Sequence, residues 1–500
     1  MEKDMKVENN NLFIAADQVR NSSENIIQNE NATLDIVDKK SNSYTCFIPE
    51  NLNLDSLIRN NPPSIPNFHV DYLVYITGLL IEIPLTNKDI EMNYIPINSK
   101  LIQRRVRNYR KYLDYLISCD VVLEDKQYIV GSKSKGFKFT ERFQVKTKLV
   151  TITKKTLIKS LNEFKDINYS CYEVDNYFST SKSSKLINQK SDLSYITNWL
   201  NSKLTVNYPE AETFLSRLKE IEGSNPEIKN ANEKFIYRHA TLLKFHRGIF
   251  LPSEDKTAGR LHSTMTQIKG DLRSFIRYDG RKLVAIDIVN SQPYLAVVLL
   301  TPIKLEENNI INMILSINPN LDSQTYPIML VKRIKEISNT DNTKLFIEIV
   351  SNGRFYEDFG LMLKQNKVIE ENLDLSSTRK KAKQITFSSF FSPNTAIAYR
   401  EEVKIFRNVF PNVFEIFKFI KLGKGHHNTL AILLQQLEAT LVLHRASKII
   451  SQERPEIPIF TLHDSIITTV GNENYVNEVL TNVLTEAIGI APKLKVERWE

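Results

Sequence analysis

Along the 500-residue chain, apolar and polar positions recur in blocks that predict mainly helices with a few short strands. The first sixty or so residues are rich in Asn, Asp, Glu and Ser. They show little apolar periodicity before the Pro-rich stretch Asn61 to Pro66, so a mostly disordered lead-in (1–66) is expected. Tyr72 to Ile83 reads as an apolar helix. Ser99 is a candidate cap for a second helix, in which Leu101, Ile102, Val106, Tyr109, Tyr112, Leu113, Leu116 and Ile117 recur at helical spacing. Three strand runs follow, Val121–Leu123, Gln127–Val130 and Lys135–Thr140, with turn residues between them. The Ser/Lys/Asn-rich stretch Ser179–Lys185 marks a linker region, 151–200, or an exposed loop. Beyond Tyr195 the pattern is long helices, such as Leu430–Ile450, with short strands and no internal repeat.

Three elements of that pattern carry candidate chemistry. Asp287 ends Lys282–Ile286, which has the length and flanks of a buried strand. A carboxylate there is either a cap for the next segment or a metal ligand at a cleft. Asp464 sits in His463-Asp464-Ser465 between two β-branched runs, Ile457–Leu462 and Ile466–Thr469, a pattern that predicts a hairpin with an Asp at its bend. The third element is a helix capped by Ser376 or Ser377 and stopped by Pro393. Its Arg379, Lys383, Phe387 and Phe391 are spaced by four and fall within an arc of about 120°. Two cations followed by two rings on one face suit a triphosphate at one end and a base and sugar at the other, although a solvated basic turn leading into a buried aromatic stripe gives the same spacing.

Composition narrows the class. With 42% hydrophobic and 25% charged residues the chain can bury a sizeable core, and its length suggests about three domains. The longest apolar run, Tyr72 to Pro84, is interrupted by Thr77, Gly78 and Glu82, and MEKDMKVENNN lacks the apolar core of a secretion signal. A soluble, cytoplasmic protein is expected. Cys46, Cys119 and Cys171 are odd in number and far apart, which argues against a disulfide framework or a CxxC zinc site.

The net charge of +8 is unevenly spread: residues 1–100 hold 8 Lys/Arg against 14 Asp/Glu, whereas 101–150 hold 12 against 5. A basic segment suggests a polyanion such as nucleic acid, and a solvated charged helix would give the same count. Helices followed by a small basic hairpin over 67–150 resemble a winged helix-turn-helix with Gly131 to Lys135 as the wing loop. In that reading Arg104, Arg105, Arg107, Lys133, Lys135 and Lys138 meet DNA. A structural or protein-contact module has the same pattern. Gly131-x4-Gly136 fails as a phosphate-binding loop, because Phe137 stands where the Lys should be.

Taken together, the motifs resemble a specific family. Arg379-x3-Lys383-x3-Phe387-x3-Phe391 is similar to the fingers-helix motif of family A DNA polymerases and the related single-subunit phage-type RNA polymerases. Asp287 with Ser291-Gln292 resembles their first palm motif, His463-Asp464 the second, and Thr257-Ala258-Gly259-Arg260-Leu261-His262-Ser263 the stretch before the first, all in the family's order. Pro492 to Trp499 is similar to the closing strand. The resemblance covers about residues 205–500. It implies an α+β right-hand fold over 201–500, with an antiparallel palm sheet, helical fingers and thumb.

The resemblance also implies site roles: Asp287 and Asp464 on two Mg²⁺ ions, Arg379 and Lys383 on the triphosphate, with Lys383 also neutralising or protonating pyrophosphate, and Phe387 and Phe391 against the incoming base and sugar. Arg260, Gln292, His463 and Gln435 fall to the DNA primer–template. The sequence departs from the family in places. Ser291-Gln292 comes two residues late, which implies an altered turn. The Glu that screens out ribose falls at Tyr294, whose ring can also crowd a 2′-hydroxyl. Ser465 replaces an acidic residue, as in the RNA enzymes, and Ser388 and Ser392 stand where Gly is usual. Asp89-Ile90-Glu91 has no partners for a proofreading site, and His426-His427 has no third ligand nearby. The expectation is a nucleotidyltransferase that uses nucleoside triphosphates, a DNA polymerase without proofreading in replication of a plasmid, phage or mobile element. The alternatives are a single-subunit RNA polymerase or primase-like enzyme, and a non-catalytic DNA-binding initiator.

Overall fold

The computed structural model describes residues 44–86, 94–125, 134–163, 172–173, 192–255, 257–423 and 425–500. They divide into two compact units. The N-terminal unit takes the described residues of 44–254, His262–Lys282 and Trp499–Glu500. The C-terminal unit takes those of Asp255–Leu261 and Leu283–Arg498. No helix among the described residues is long and apolar enough to cross a membrane.

The N-terminal unit begins earlier than the sequence pattern predicts. Residues 44–66, expected in the disordered lead-in, include β1 (Tyr44–Pro49), buried throughout, and α1 (Leu54–Asn60), capped by Asn53. β1 pairs antiparallel with β5 (Thr147–Ile152), from Tyr44↔Ile152 to Pro49↔Thr147, and on its other edge with β6 (Tyr172–Glu173). Its six residues are too few to register as periodic within a polar surrounding. Against this strand packs α2 (Val70–Thr86), apolar all round and therefore buried. Gly78 permits the approach: a Cβ there would lie 3.1 Å from the Cys46 Cβ and 3.2 Å from the Phe47 carbonyl oxygen.

β2 (Ile95–Pro96), α3 (Ser99–Arg105), α4 (Tyr109–Ser118), β3 (Val122–Glu124) and β4 (Gly136–Phe139) follow, with sheet order β2-β4-β3. The single helix expected from Ser99 is two. Val106, buried and extended at φ −134°, ends α3, and Asn98 rather than Ser99 caps it by accepting from the Lys100 and Leu101 amides. The expected strand Gln127–Val130 and the wing residues through Lys133 lie outside the described residues. The region 151–200 is not all linker. α5 (Lys155–Glu163) buries Leu157, Ile158 and Leu161 in the same core as β1 and α2.

β7 (Leu204–Val206), α6 (Tyr208–Ser224) and α7 (Ala231–His246) also belong to this unit, and Ile236, Tyr237, Ala240 and Leu243 of α7 complete its core. The boundary expected at 201 is thus not a boundary of packing. Lys244 of α7 is sealed inside against Glu82, 3.2 Å away. β8 (Ile276–Tyr278) pairs with β7 and then turns through Asp279 and Gly280, both at positive φ (50° and 73°), the geometry of a tight hairpin.

In the C-terminal unit, β9 (Arg281–Ile288), counted here from Leu283, pairs antiparallel on both sides. Its neighbours are β11 (Ser465–Thr469) and β12 (Leu494–Arg498), and β10 (Ile459–Leu462) forms a hairpin with β11. α8 (Ser291–Ala296) follows β9. Further on come α9 (Phe355–Gln365) and α10 (Leu375–Phe391), and then the long helix expected over 430–450. That helix runs as α11 (Thr429–Glu438), a π-helical stretch over Ala439–Ala446, and α12 (Ser447–Glu453). Helix and sheet are mixed in both units.

α9 and α10 touch through Gly360, where an added Cβ would meet the Thr378 Cγ2 at 2.7 Å. Both partners are buried, so the clash is not relieved by a side chain swinging into solvent. Gly360→Ala should therefore destabilise the protein by about 1–3 kcal/mol, read from the midpoint of urea unfolding. An unchanged midpoint would show that the two helices do not depend on this contact.

Candidate active site

The β9–β11 ladder sets the geometry. Asp287 is paired with Ser465, so Asp464 is the next residue round the bend, and the Ile288 amide donates to the Asp464 carbonyl at 3.3 Å. The hairpin closes in two residues, His463 and Asp464, with His463 in the left-handed region at φ 55° and the Ser465 Oγ donating to the Leu462 carbonyl at 3.0 Å. Both aspartates are half-buried. Asp287 is not a helix cap: the residue before α8 is Asn290, itself left-handed at φ 54°.

α10 is built as the spacing predicts, with one correction. Asp374, not Ser376 or Ser377, is its cap; its Oδ1 accepts from the Ser377 amide at 2.9 Å and its Oδ2 from the Ser377 hydroxyl at 2.6 Å. Thr378, Ala382, Ile385, Thr386, Ser389 and Phe390 form its buried face. On the adjoining stripe Arg379 and Lys383 are exposed, and Phe387 and Phe391 half-buried. The Arg379 Nε donates to Glu357 Oε1 at 2.8 Å, and its guanidinium lies 5.4 Å from the centre of the Tyr356 ring. The Lys383 ammonium stands 5.5 Å from the Phe387 ring, itself 5.6 Å from the ring of Phe391. Burial raises the pKa of the Tyr356 hydroxyl; Arg379 opposes this, and the charges of Asp464 and Glu357 reinforce it. Asp464 is thus within electrostatic reach of the residues that hold Arg379.

A third group of residues meets around Glu438. Gly259, left-handed at φ 67°, closes a turn in which Asp255 accepts from the Thr257 and Ala258 amides at 2.9 and 3.0 Å. Gln436 grips that turn by donating to the Thr257 carbonyl at 2.7 Å. The turn delivers Arg260, whose Nη2 sits 2.8 Å from Glu438 Oε1 as an ion pair without hydrogen-bond alignment. Gln292 donates to Glu438 Oε2 at 3.1 Å. Burial lifts the Glu438 pKa to about 7, with Asp464 adding to the rise and Arg260 and Gln292 opposing it. Sequence reasoning missed Glu438; the signal was a lone carboxylate in the apolar run Leu430 to Leu443.

Several expected contacts are not brought to this site. Tyr294 is 1% exposed, and its hydroxyl donates to the Ile490 carbonyl at 2.8 Å, so it is a core residue rather than a sugar contact. Gln435 is half-buried, and the hydrogen bond to the Arg260 turn comes from its neighbour Gln436. In the N-terminal unit Arg105 is buried and donates to the Tyr75 hydroxyl at 2.8 Å, which removes it from any nucleic-acid surface. Lys135 donates to Glu124 at 2.7 Å, beside a bidentate Arg110–Glu124 pair, and Lys138 lies 4.9 Å from the Tyr94 ring. Arg104 and Arg107 are exposed, without a carboxylate partner among the described residues. Lys133, Asp89 and Glu91 lie outside the described residues. His426 pairs with Asn320 at 2.8 Å. Among the described residues no three His, Cys, Asp or Glu gather as a metal-binding group.

No family model matches the sequence, and no curated protein is significantly similar to it. Among solved structures, the chain is similar to the POL domain of Pol1 from M. smegmatis, in complex with DNA primer-template and dNTP. The identity is 13%, the TM-score 0.29, and the match covers 57% of this chain and 55% of that one, about half of each.

The C-terminus of α10 is held by a buried amino group. The Lys421 ammonium, 3% exposed, donates to the Ser389 and Ser392 carbonyls at 3.1 and 3.0 Å, and burial pulls its pKa down to about 7. An unfolded lysine keeps its proton to about pH 10.4, so between those values the unfolded chain binds more protons and folding gains as pH rises. Lys421→Met should remove that gain. The stability of wild type relative to the variant should climb between pH 7 and 10, by up to about 1.4 kcal/mol per pH unit in urea titrations. A flat difference would show that Lys421 does not titrate in the folded protein.

Proposed function

We propose that the chain is a template-directed nucleotidyltransferase that extends a DNA primer without proofreading, in replication of a plasmid, phage or mobile element. The observation that carries this reading is the β9–β11 register, which sets Asp287 beside Asp464. The unit that holds this pair also carries Arg379, Lys383, Phe387 and Phe391 on one stripe of a single helix, beside its buried face. The donor set fits Mg²⁺: both ligands are hard carboxylate oxygens, and two of them leave coordination positions for phosphate and water oxygens. When bound, a pair of Mg²⁺ ions neutralises charge on the attacking and leaving oxygens of phosphoryl transfer.

The chain's own residues supply the rest. Asp287 and Asp464 hold the metals. Arg379 and Lys383 grip the triphosphate, and Lys383, exposed on α10, neutralises or protonates the departing pyrophosphate. Phe387 and Phe391 offer a tilted pair of rings for the incoming base and sugar. Arg260 and His463 face the primer–template, and Gln292 is turned to Glu438.

In the N-terminal unit the order α2-β2-α3-α4-β3-β4 supports a winged helix-turn-helix that places the protein on DNA. Of its expected contacts among the described residues, Arg104 and Arg107 are exposed without a carboxylate partner, and the Lys138 ammonium lies 4.9 Å from the Tyr94 ring beside the hairpin. RNA synthesis is the second reading. It is favoured by Ser465, which occupies the acidic position, and by the burial of Tyr294, which removes the candidate for crowding a 2′-hydroxyl.

Purified protein with Mg²⁺ and a primed template should extend the primer, deoxynucleotides and ribonucleotides being supplied in separate reactions. Asp287→Asn and Asp464→Asn should each cut the rate by about 10²–10³-fold or more while leaving the thermal midpoint near wild type. Extension with ribonucleotides alone would select the second reading, and extension with neither would leave a non-catalytic DNA-binding protein. For the N-terminal unit, the double variant Arg104→Ala/Arg107→Ala should lower the salt dependence of duplex DNA binding, by about 0.9 in log–log slope per lost phosphate contact. An unchanged slope would remove this face from the DNA contact.

A further inference from the structure

Glu438 is an uneconomical residue for stability. It is 1% exposed, and burial keeps its pKa near 7 although Arg260 and Gln292 both favour the charge, so the pair does not offset the desolvation. Replacing Glu438 and Arg260 together by apolar side chains of similar volume would cost the fold little, whereas removing Glu438 alone leaves the Arg260 charge unpaired. What the carboxylate does is geometric. One oxygen holds the Arg260 guanidinium at 2.8 Å and the other accepts from Gln292 at 3.1 Å, which ties the 255–260 turn and the start of α8 to a single point on α11. That point is the last α-helical residue before the π-helical stretch Ala439–Ala446, and such insertions re-aim side chains and recur at functional sites. Glu438 is sealed at 2% side-chain exposure while Arg260 keeps 19%, so one partner is fixed inside and the other reaches solvent.

We propose that Glu438 is a positioning residue that holds the Arg260 guanidinium, with Gln292 as its second tether, in the place where it meets the bound primer–template. The proposal rests on the polymerase reading of the C-terminal unit. Glu438 touches neither nucleotide nor primer, and Arg260 makes the contact. An Arg that is already placed loses little side-chain freedom on binding, so the effect falls on affinity for the primer–template rather than on the chemical step.

The test is steady-state primer extension with primer–template as the varied substrate, for wild type, Glu438→Ala, Glu438→Gln, Arg260→Ala and the Arg260→Ala/Glu438→Ala double variant. Glu438→Ala should raise KM for primer–template about tenfold with kcat within about threefold of wild type. Glu438→Gln keeps an oxygen for Arg260 and should restore KM to within about threefold. The double variant should be no worse than Arg260→Ala, because the two act as one unit. Should Glu438→Ala fail to fold, as its circular dichroism would show, Glu438→Met fills the same volume without charge and takes its place. Unchanged KM in the alanine or methionine variant overturns the proposal. So does an effect that adds to that of Arg260→Ala, or a loss confined to kcat. Absence of extension by wild type removes the polymerase reading and this proposal with it, whereas active wild type with an indifferent Glu438→Ala removes the proposal alone.

Discussion

The C-terminal unit depends on the register of one strand. From Val284 to Asp287, β9 is paired on both sides, with β11 and with β12, and of the six residues Leu283 to Ile288 only Asp287 is not buried. A strand with two partners cannot slide past one without breaking the ladder with the other. A slip of one residue would turn Asp287 toward the interior and present Ile286 or Ile288 in its place. The apolar run Leu283–Ile286 therefore does more than fill the core: by fixing the register it brings the Asp287 backbone beside the bend that holds Asp464. The tight two-residue hairpin matters for the same reason, since a longer loop would free Asp464 from the sheet.

Around this rigid pair the unit buries ionisable groups, and in each case a backbone feature is at stake. Lys421 gives its protons to carbonyls at the end of α10, where the helix dipole is negative and no amide remains to pair with them. Glu438 stands where α11 passes into π-helix. Both lie under elements that carry candidate site residues, and in both burial outweighs the favourable contacts. Elsewhere the unit uses apolar packing, as in the ring cluster of Phe346, Phe355, Phe359, Phe406 and Phe410.

Much of the C-terminal fold was legible in the sequence because its signals are local. A continuous apolar run, two β-branched runs around a polar triplet and a four-residue spacing give β9, the β10–β11 hairpin and the stripe of cations and rings on α10 directly. What was not legible depends on partners far away in the chain. Tyr294 lies two residues beyond Gln292, and two residues along a helix turn the side chain by about 200°. Since Gln292 faces Glu438, Tyr294 faces the opposite way, into the core at Ile490. The turn that sets this phase uses the left-handed Asn290 and the bond from the Val289 amide to the Lys493 carbonyl, a partner some two hundred residues on. β1 was missed for the same reason, because its hydrogen-bonding partner is β5.

The basic segment 101–150 shows why a charge count is a poor map of a binding surface. Five of its cations satisfy the protein's own acceptors: Arg105 the Tyr75 hydroxyl, Arg110 and Lys135 the carboxylate of Glu124, Lys146 that of Glu212, and Lys148 the Glu50 carbonyl. The Arg110–Lys135–Glu124 group even depresses the Glu124 pKa to about 2, the first cause being the Arg110 hydrogen bond. A guanidinium held bidentate in this way must break two charge-assisted bonds before it can meet a phosphate, so it contributes to a polyanion's field without becoming a contact. Among the described residues of this segment Arg104, Arg107, Lys111 and Arg142 are exposed without a carboxylate partner, the first three on and beside the short turn between α3 and α4. Net charge thus sets how strongly the unit attracts a polyanion at a distance, whereas the pairing of individual side chains decides which residues can touch it.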